Sequence, residues 1–469
     1  MKTKQGWTIP KAIYAAIMMF LLLSYFYVMA TNAHAMISGR SFTFSMPFWI
    51  LRVISSVMAI VLGKLWRDKG FRILAVFLLL QILRVVLDVF WHLFVDYVSE
   101  NMLTGLWAVC ACYGLAAVLG KKQLKQFLTI FACIWTAGMV VSSCLGIIAA
   151  WTGQPIYTIS EGSYWGIFDY SGKRLWLTYY TTTSGSLANI STMIALCGAY
   201  TARRKWAKIL FILAALPMYV ALCLTDSRCA HMSVSAGIAL MAGILTLRYL
   251  RRKRQPRQKM KTVLPAAAVT AVVFIVIVFA SMQTISVFSR LKSEGFISRA
   301  YADTAEQAAE QISNRGYMGQ DVLTGRLEIW KATIQVFREQ PLKLLIGNSV
   351  CDPMLDANVK MKSWNLTVGH CHNMLLMVLN ENGIPGLLLI ISLIVMAIRR
   401  CWQLVVRDGA TNWITPLVAM LGSVMVGELV ECFTWFRAGD NATMALFFIT
   451  IGIILCRDDE KYGGMEFGQ

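Results

Sequence analysis

The sequence predicts an all-α integral membrane protein of about 12 transmembrane helices, with a long, partly helical external loop between the ninth and tenth spans. Three observations carry this reading. Of 469 residues, 57% are hydrophobic and only 15% charged, against about 25% charged in an ordinary soluble chain. The mean hydropathy is +0.59. Apolar runs long enough to cross a hydrocarbon core, roughly 20 helical residues each, recur along almost the whole chain, and short Lys/Arg clusters separate them.

Taken in order, the runs fall at 11-30, 46-63, 72-95, 102-119, 127-150, 179-200, 207-225, 228-248, 262-285, 371-398, 412-434 and 441-456. The first follows Lys2 and Lys4 without a small-residue cleavage site and reads as a retained span rather than a signal peptide. The third carries Arg84, Asp88 and His92 on one helical face. Cysteines such as Cys110, Cys112, Cys223 and Cys456 lie inside apolar runs, where they act as small hydrophobes rather than disulfide partners. The chain divides into N-terminal transmembrane helices (1-178), a second set of transmembrane helices (179-285), the long loop (286-370) and C-terminal transmembrane helices (371-469).

The charge balance sets the orientation. Net charge is +19, from 44 Lys+Arg against 25 Asp+Glu, but the cations sit between apolar runs, which points to an anionic membrane leaflet and excludes nucleic acid as the partner. One set of loops carries Lys64, Arg67, Lys69 and Arg72, then Lys121, Lys122 and Lys125, then Arg203 to Lys208, then the run 248-261, then Arg399, Arg400 and Arg407. By the positive-inside rule these loops and both termini are cytoplasmic. The intervening loops, 286-370 among them, are then external. Within that loop 301-312 and 324-338 read as helices, the second stopped by Gln340-Pro341.

Three external features carry candidate chemistry. Leu224-Thr225-Asp226-Ser227-Arg228 forms a tight hairpin between two spans. Arg228 there either snorkels at a helix end or offers a planar fork to a phosphate or diphosphate. Thr324 can cap the helix that follows, so Gly325 and Arg326 occupy its first turn, where free N–H groups favour an anion. A cation at a helix N-terminus opposes the macrodipole unless an anion lies between them. The plainer reading pairs Arg326 with Glu328 on the surface. His370-Cys371-His372-Asn373 precedes the tenth span. Its side chains lack the repeated spacing of a metal-ligand set, so no metal and no cofactor is expected, and a neutral imidazole there suits a general base. The downstream Gly383-Ile384-Pro385-Gly386 reads as a helix break.

Thr225-x-Ser227-Arg228, Gly325-Arg326 with Trp330, Pro341 and Gly347, then His370-x-His372-Asn373 and Glu381-x-Gly383-Ile384-Pro385-Gly386 resemble, in order and spacing, the signature of the O-antigen ligase and polymerase superfamily. The resemblance covers roughly 180-400. It implies a GT-C-like fold and a metal-independent, inverting glycosyltransferase of the bacterial cytoplasmic membrane, with its active site on the external face. The implied donor is an undecaprenyl-diphosphate-linked glycan. The acceptor is a glycan or lipid-linked glycan, with membrane lipids and a chain-length regulator as further partners. In that reading Arg228 and Arg326 hold the leaving diphosphate and His372 is the base. His370, Asn373, Asn189, Glu428, Glu431 and Arg437 are candidates for binding sugar or acceptor. The family's Asn-Pro-Asn pattern is replaced here by Thr183-Ser184-Gly185-Ser186-Leu187-Ala188-Asn189-Ile190, without the proline.

The competing class is a multi-span transporter or flippase for a lipid-linked sugar or another solute, with Arg84, Asp88 and His92 as a proton relay rather than a structural network or the wall of a lipid groove. The sequence shows no internal repeat of the kind such transporters carry, and a long external loop fits a compact alternating-access protein badly. Ligase and polymerase share a donor and differ in acceptor, so both stay open.

The topology has a direct test. With accessible native thiols removed, Ala305→Cys should react with a membrane-impermeant thiol reagent in intact cells and Gln255→Cys should not. The opposite pattern would invert the orientation.

Overall fold

Backbone amides have no water to bond in hydrocarbon, so apolar runs of this length fold as helices. The computed structural model describes residues 7–38, 46–92, 104–153, 157–158, 166–167, 174–177, 181–253, 262–294, 326–348, 371–407, 414–429, 431 and 441–456. Within them the order is α1 (Ile9–Ser38), α2 (Met46–Gly63), α3 (Lys69–His92), α4 (Thr104–Thr152), α5 (Thr181–Thr201), α6 (Lys205–Leu224), α7 (Arg228–Lys253), α8 (Val263–Glu294), α9 (Arg326–Glu339), α10 (Pro341–Ile346), α11 (Met374–Trp402), α12 (Ile414–Glu428) and α13 (Asn441–Leu455). A two-residue antiparallel ladder, β1 (Tyr157–Thr158) with β2 (Gly166–Ile167), is the exception to an otherwise helical fold.

Among the described residues, five helices are long and apolar enough to cross a membrane: Thr104–Thr152, Lys205–Leu224, Arg228–Arg252, Val263–Leu291 and Met374–Val405. Shorter apolar helices occupy Ile9–Ser24, Phe48–Gly63, Thr415–Glu428 and Ala442–Leu455. Two of the expected spans, 102-119 and 127-150, lie on α4, which is broken at Gly120 (φ 69°, ψ 174°). Only glycine adopts that backbone freely, so the break falls between the two apolar stretches. α8 continues to Glu294, beyond the expected end at 285. The expected helix at 301-312 lies outside the described residues, while the one at 324-338 is observed as α9 from Arg326 to Glu339.

Polar side chains hold the buried helices together where lipid offers no competing partner. Trp135 Nε1 donates to Ser191 Oγ at 3.0 Å, joining α4 to α5. The hydroxyls of Ser186 and Thr443 meet at 2.8 Å, joining α5 to α13. A π-helical turn at Ala108–Cys112 leaves a carbonyl turned outward, and Tyr14 of α1 donates to the oxygen of Ala111 at 2.6 Å. Buried Arg52 on α2 donates to Thr104 Oγ1 at 2.7 Å, its guanidinium lying 4.8 Å from the Trp49 ring and 5.3 Å from that of Trp107. The aromatic faces help to compensate a cation otherwise costly at that depth.

α10 is docked into a break in α11. Gly383 (φ 63°, ψ −166°) interrupts α11 two residues before Pro385, as the Gly-Ile-Pro-Gly stretch predicts. The gap is filled from the long loop: a Cβ on Gly347 would lie 2.2 Å from the Glu381 carbonyl oxygen, and one on Gly383 would lie 2.2 Å from that of Leu345. Asn348 N–H donates to the Asn380 carbonyl at 2.6 Å, and Arg84 of α3 donates to the Gly347 carbonyl at 3.2 Å. Arg84 thus anchors this junction. Asp88 and His92 follow it on α3, their side chains outside the described residues. The motif elements Gly347 and Glu381-x-Gly383 are one packing device that fixes α9 and α10 against α11.

Gly347→Ala and Gly383→Ala should each lower the melting temperature of the detergent-purified protein by several degrees, corresponding to about 1–3 kcal/mol of overpacking and left-handed strain. Gly386→Ala, whose added Cβ would meet mainly the Asn382 side chain, should cost less.

Candidate active site

Four helix ends meet at one end of the bundle. Cys229, in the first turn of α7, directs its thiol to the Gly427 carbonyl at 3.3 Å near the end of α12. Asn373 caps α11: its Oδ1 accepts from Leu376 N–H at 2.9 Å and its Nδ2 donates to the Leu429 carbonyl at 2.8 Å, just past α12. Trp330 of α9 donates its indole N–H to the Cys371 carbonyl at 2.9 Å. These contacts bring the starts of α7, α9 and α11 to the end of α12.

At their junction lies Glu431, 2% exposed, with both carboxylate oxygens engaged. Oε2 accepts from Arg326 at 2.6 Å, and Oε1 bonds the Nδ1 of His372. Arg326 is 13% and His372 27% exposed, so the cluster is partly sheltered and still reachable. The expected alternative for Arg326, a surface pair with Glu328, gives way to this buried partner. A cation in the first turn of α9 opposes the helix dipole, and the Glu431 carboxylate beside it offsets that cost. Glu428, 2% exposed, ends α12 one turn earlier. Cys229, in the first turn of α7, lies near Glu431, Arg326 and Glu428, and Arg228 precedes it in the chain. Arg228 is itself half-buried.

His372 has a left-handed backbone, φ 50°. The residues around it hold that conformation: Asn373 caps the next helix, while the Cys371 carbonyl is tied to Trp330 and its sulfur faces Thr333 Oγ1 at 3.8 Å. Cys371 is therefore turned into a buried apolar cluster with Ile329, Met374 and Met377, away from the side of His372 that meets Glu431. With Nδ1 hydrogen-bonded to the carboxylate, the ring is set so that Nε2 can accept a proton.

The hairpin before Arg228 is held from outside. Arg174 donates to the carbonyls of Thr225 at 3.0 Å and Asp226 at 3.1 Å, and Leu175 N–H donates to the Leu224 carbonyl at 2.8 Å. Asp226 takes φ 47° at the turn. Gly185 of α5 lets the turn approach, since a Cβ there would lie 2.6 Å from that of Ser227.

Arg326 and His372 both contact Glu431, and Asn373 follows His372 in the chain and is bonded to Leu429 just past α12. Asn189 is buried and accepts from Ser423 Oγ at 3.0 Å, in the contact between α5 and α12. Thr324, Gly325, His370 and Arg437 lie outside the described residues. The bridging place of Glu431 and the grip of Arg174 on the hairpin are not apparent from the sequence. The signal for the first was available: two carboxylates three residues apart at the end of an apolar run are rare enough to mark function.

Apolar helices long enough to cross a membrane end in a sheltered cluster of arginine, carboxylate and imidazole, which marks the chain as a membrane protein with a polar site at one end of its bundle. Residues 213–391, from within α6 to within α11, match the family described as O-antigen ligase, which supports the resemblance to the O-antigen ligase and polymerase superfamily. The match includes Arg228, Arg326 and His372, with Glu428 and Glu431 lying just beyond it. No curated protein matches the chain. The family match and the apolar helices support a role in membrane glycan processing for polysaccharide biosynthesis.

Glu431→Gln keeps the size but loses the charge that orients His372 and neutralises Arg326. It should cut glycan transfer by about 10²- to 10⁴-fold with normal expression. Glu431→Ala should in addition destabilise the protein, because it leaves the Arg326 cation buried without its carboxylate.

Proposed function

We propose that the protein is a metal-independent, inverting glycosyltransferase of the bacterial cytoplasmic membrane, acting at its external face on an undecaprenyl-diphosphate-linked glycan. The observation that carries this reading is the Glu431 bridge, which holds a guanidinium and an imidazole in one sheltered cluster beside the start of α7. A diphosphate leaving group gains negative charge as the glycosidic C1–O bond breaks. Cations fixed against it therefore stabilise the transition state more than the ground state. Arg326, with Arg228 half-buried at the helix start nearby, supplies that charge. When the diphosphate arrives, it competes with Glu431 for Arg326, and its own charge replaces the carboxylate's.

The acceptor hydroxyl loses its proton as it attacks C1 from the face opposite the leaving oxygen, which inverts the anomeric centre. His372 Nε2 takes that proton. Glu431 holds the ring at Nδ1 and stabilises the imidazolium that forms. Glu428, Asn189, His370 and Arg437 are further candidates for binding sugar or acceptor. The acceptor is a glycan or lipid-linked glycan hydroxyl.

In an assay with purified protein and lipid-linked donor, Arg326→Ala and Arg228→Ala should each lower turnover by roughly two to three orders of magnitude. Lysine should rescue either position poorly. His372→Ala should cost about 10²- to 10⁴-fold while donor still binds. Wild-type rates in all three alanine variants would refute the assignment, and loss of activity on chelation that a divalent ion restores would refute metal independence.

A further inference from the structure

The opposite end of the bundle holds a second charged site. α11 starts beside the Glu431 cluster and runs from Met374 to Trp402, so Arg399 and Arg400 near its end lie roughly 40 Å away along the helix. There a cavity of about 890 Å³ opens between the end of α2, the start of α3, the break in α4, the end of α11 and the end of α13. Its origin is local. The backbone of α4 turns away at Gly120, and Lys64 takes a left-handed conformation, φ 50°, in the turn after α2. Gly70 lets α3 approach α4, since a Cβ there would lie 2.3 Å from the Tyr113 hydroxyl.

The lining is cationic over an apolar floor. Lys64, Arg67, Lys69, Arg399 and Arg400 border the cavity, and Asp68 is the one carboxylate among its lining residues. Asp68 is already engaged: its Oδ1 accepts from the Tyr113 hydroxyl and from Phe71 N–H at 2.7 Å. Leu62, Leu65, Ala117, Met396 and Leu455 complete the wall. Arg400 also donates to Gln403 Oε1 at 3.5 Å, and five cations around one space create a potential that favours an anion there. A free anion in water would not need the apolar wall. An amphiphile with a phosphate head and acyl chains meets both parts, at the membrane end that the Lys/Arg alternation makes cytoplasmic.

We propose that this cavity binds the phosphate-bearing headgroup of an anionic phospholipid of the cytoplasmic leaflet, the cations holding the phosphodiester and the wall from Leu62 to Met396 receiving the first part of its chains. The proposal concerns a site remote from the Glu431 cluster and stands independently of the reaction assigned there.

The test uses the full chain purified in mild detergent, with retained lipid measured by native mass spectrometry against added phosphatidylglycerol or phosphatidylcholine. The wild type should retain phosphatidylglycerol in clear preference to phosphatidylcholine. Arg399→Gln with Arg400→Gln should weaken that retention about tenfold to thirtyfold, as the loss of two lipid-facing charges implies. Lys64→Gln with Lys69→Gln, on a different segment, should do the same and serves if the first pair fails to fold. Arg399→Lys with Arg400→Lys should keep most of the binding. Equal retention of both lipids, or retention unchanged in a folded glutamine pair, would overturn the proposal. So would inorganic phosphate at millimolar concentration displacing the lipid completely, since the site would then be one for a free anion.

Discussion

Everything at the site end depends on how one buried carboxylate divides its two oxygens. Glu431 gives one to Arg326 of α9 and the other to His372 before α11, and it stands just past the end of α12. A lone buried carboxylate or arginine would be costly in that setting. Together they lower one another's cost, and the arrangement is stable only while all three helices keep their places. The capping of α11 by Asn373, the Trp330 bond to the Cys371 carbonyl and the Cys229 contact with Gly427 preserve those places.

The interlock of Gly347 with Gly383 serves the same end from a distance. α9 belongs to a segment between two apolar spans, where nothing in the chain's own continuity positions Arg326. By threading α10 into the broken α11, the protein makes the helix that follows His372 also hold the end of α9. Arg174 performs a comparable service for the hairpin of Thr225 and Asp226, so the three candidate motifs are each held by contacts remote in sequence.

The helices were legible because membrane crossing imposes a length and an apolar composition that few other structures share, and Gly383 and Pro385 announce a break wherever they occur in such a run. Arg326 and His372 were legible as chemistry, since a cation at a helix start and an imidazole at a span entrance each lack a simple packing role. Their meeting at Glu431 was not. The contacts span 105 and 59 residues of sequence, and no local periodicity reports which helix ends will converge. Asn189 was legible only as a candidate for binding sugar or acceptor, and its side-chain oxygen accepts from Ser423 between two buried helices, a contact 234 residues apart in sequence.

The left-handed backbone of His372 sets two demands against each other. At φ 50° glycine or asparagine would sit with less strain than histidine, so the residue most comfortable there is not the one that can take up a proton. Backbone comfort alone would favour glycine here, and histidine instead supplies the ring that bonds Glu431. A glycine there would ease the backbone but lose the bond to Glu431, so at His372 local backbone comfort is given up for a contact that ties this segment to the end of α12.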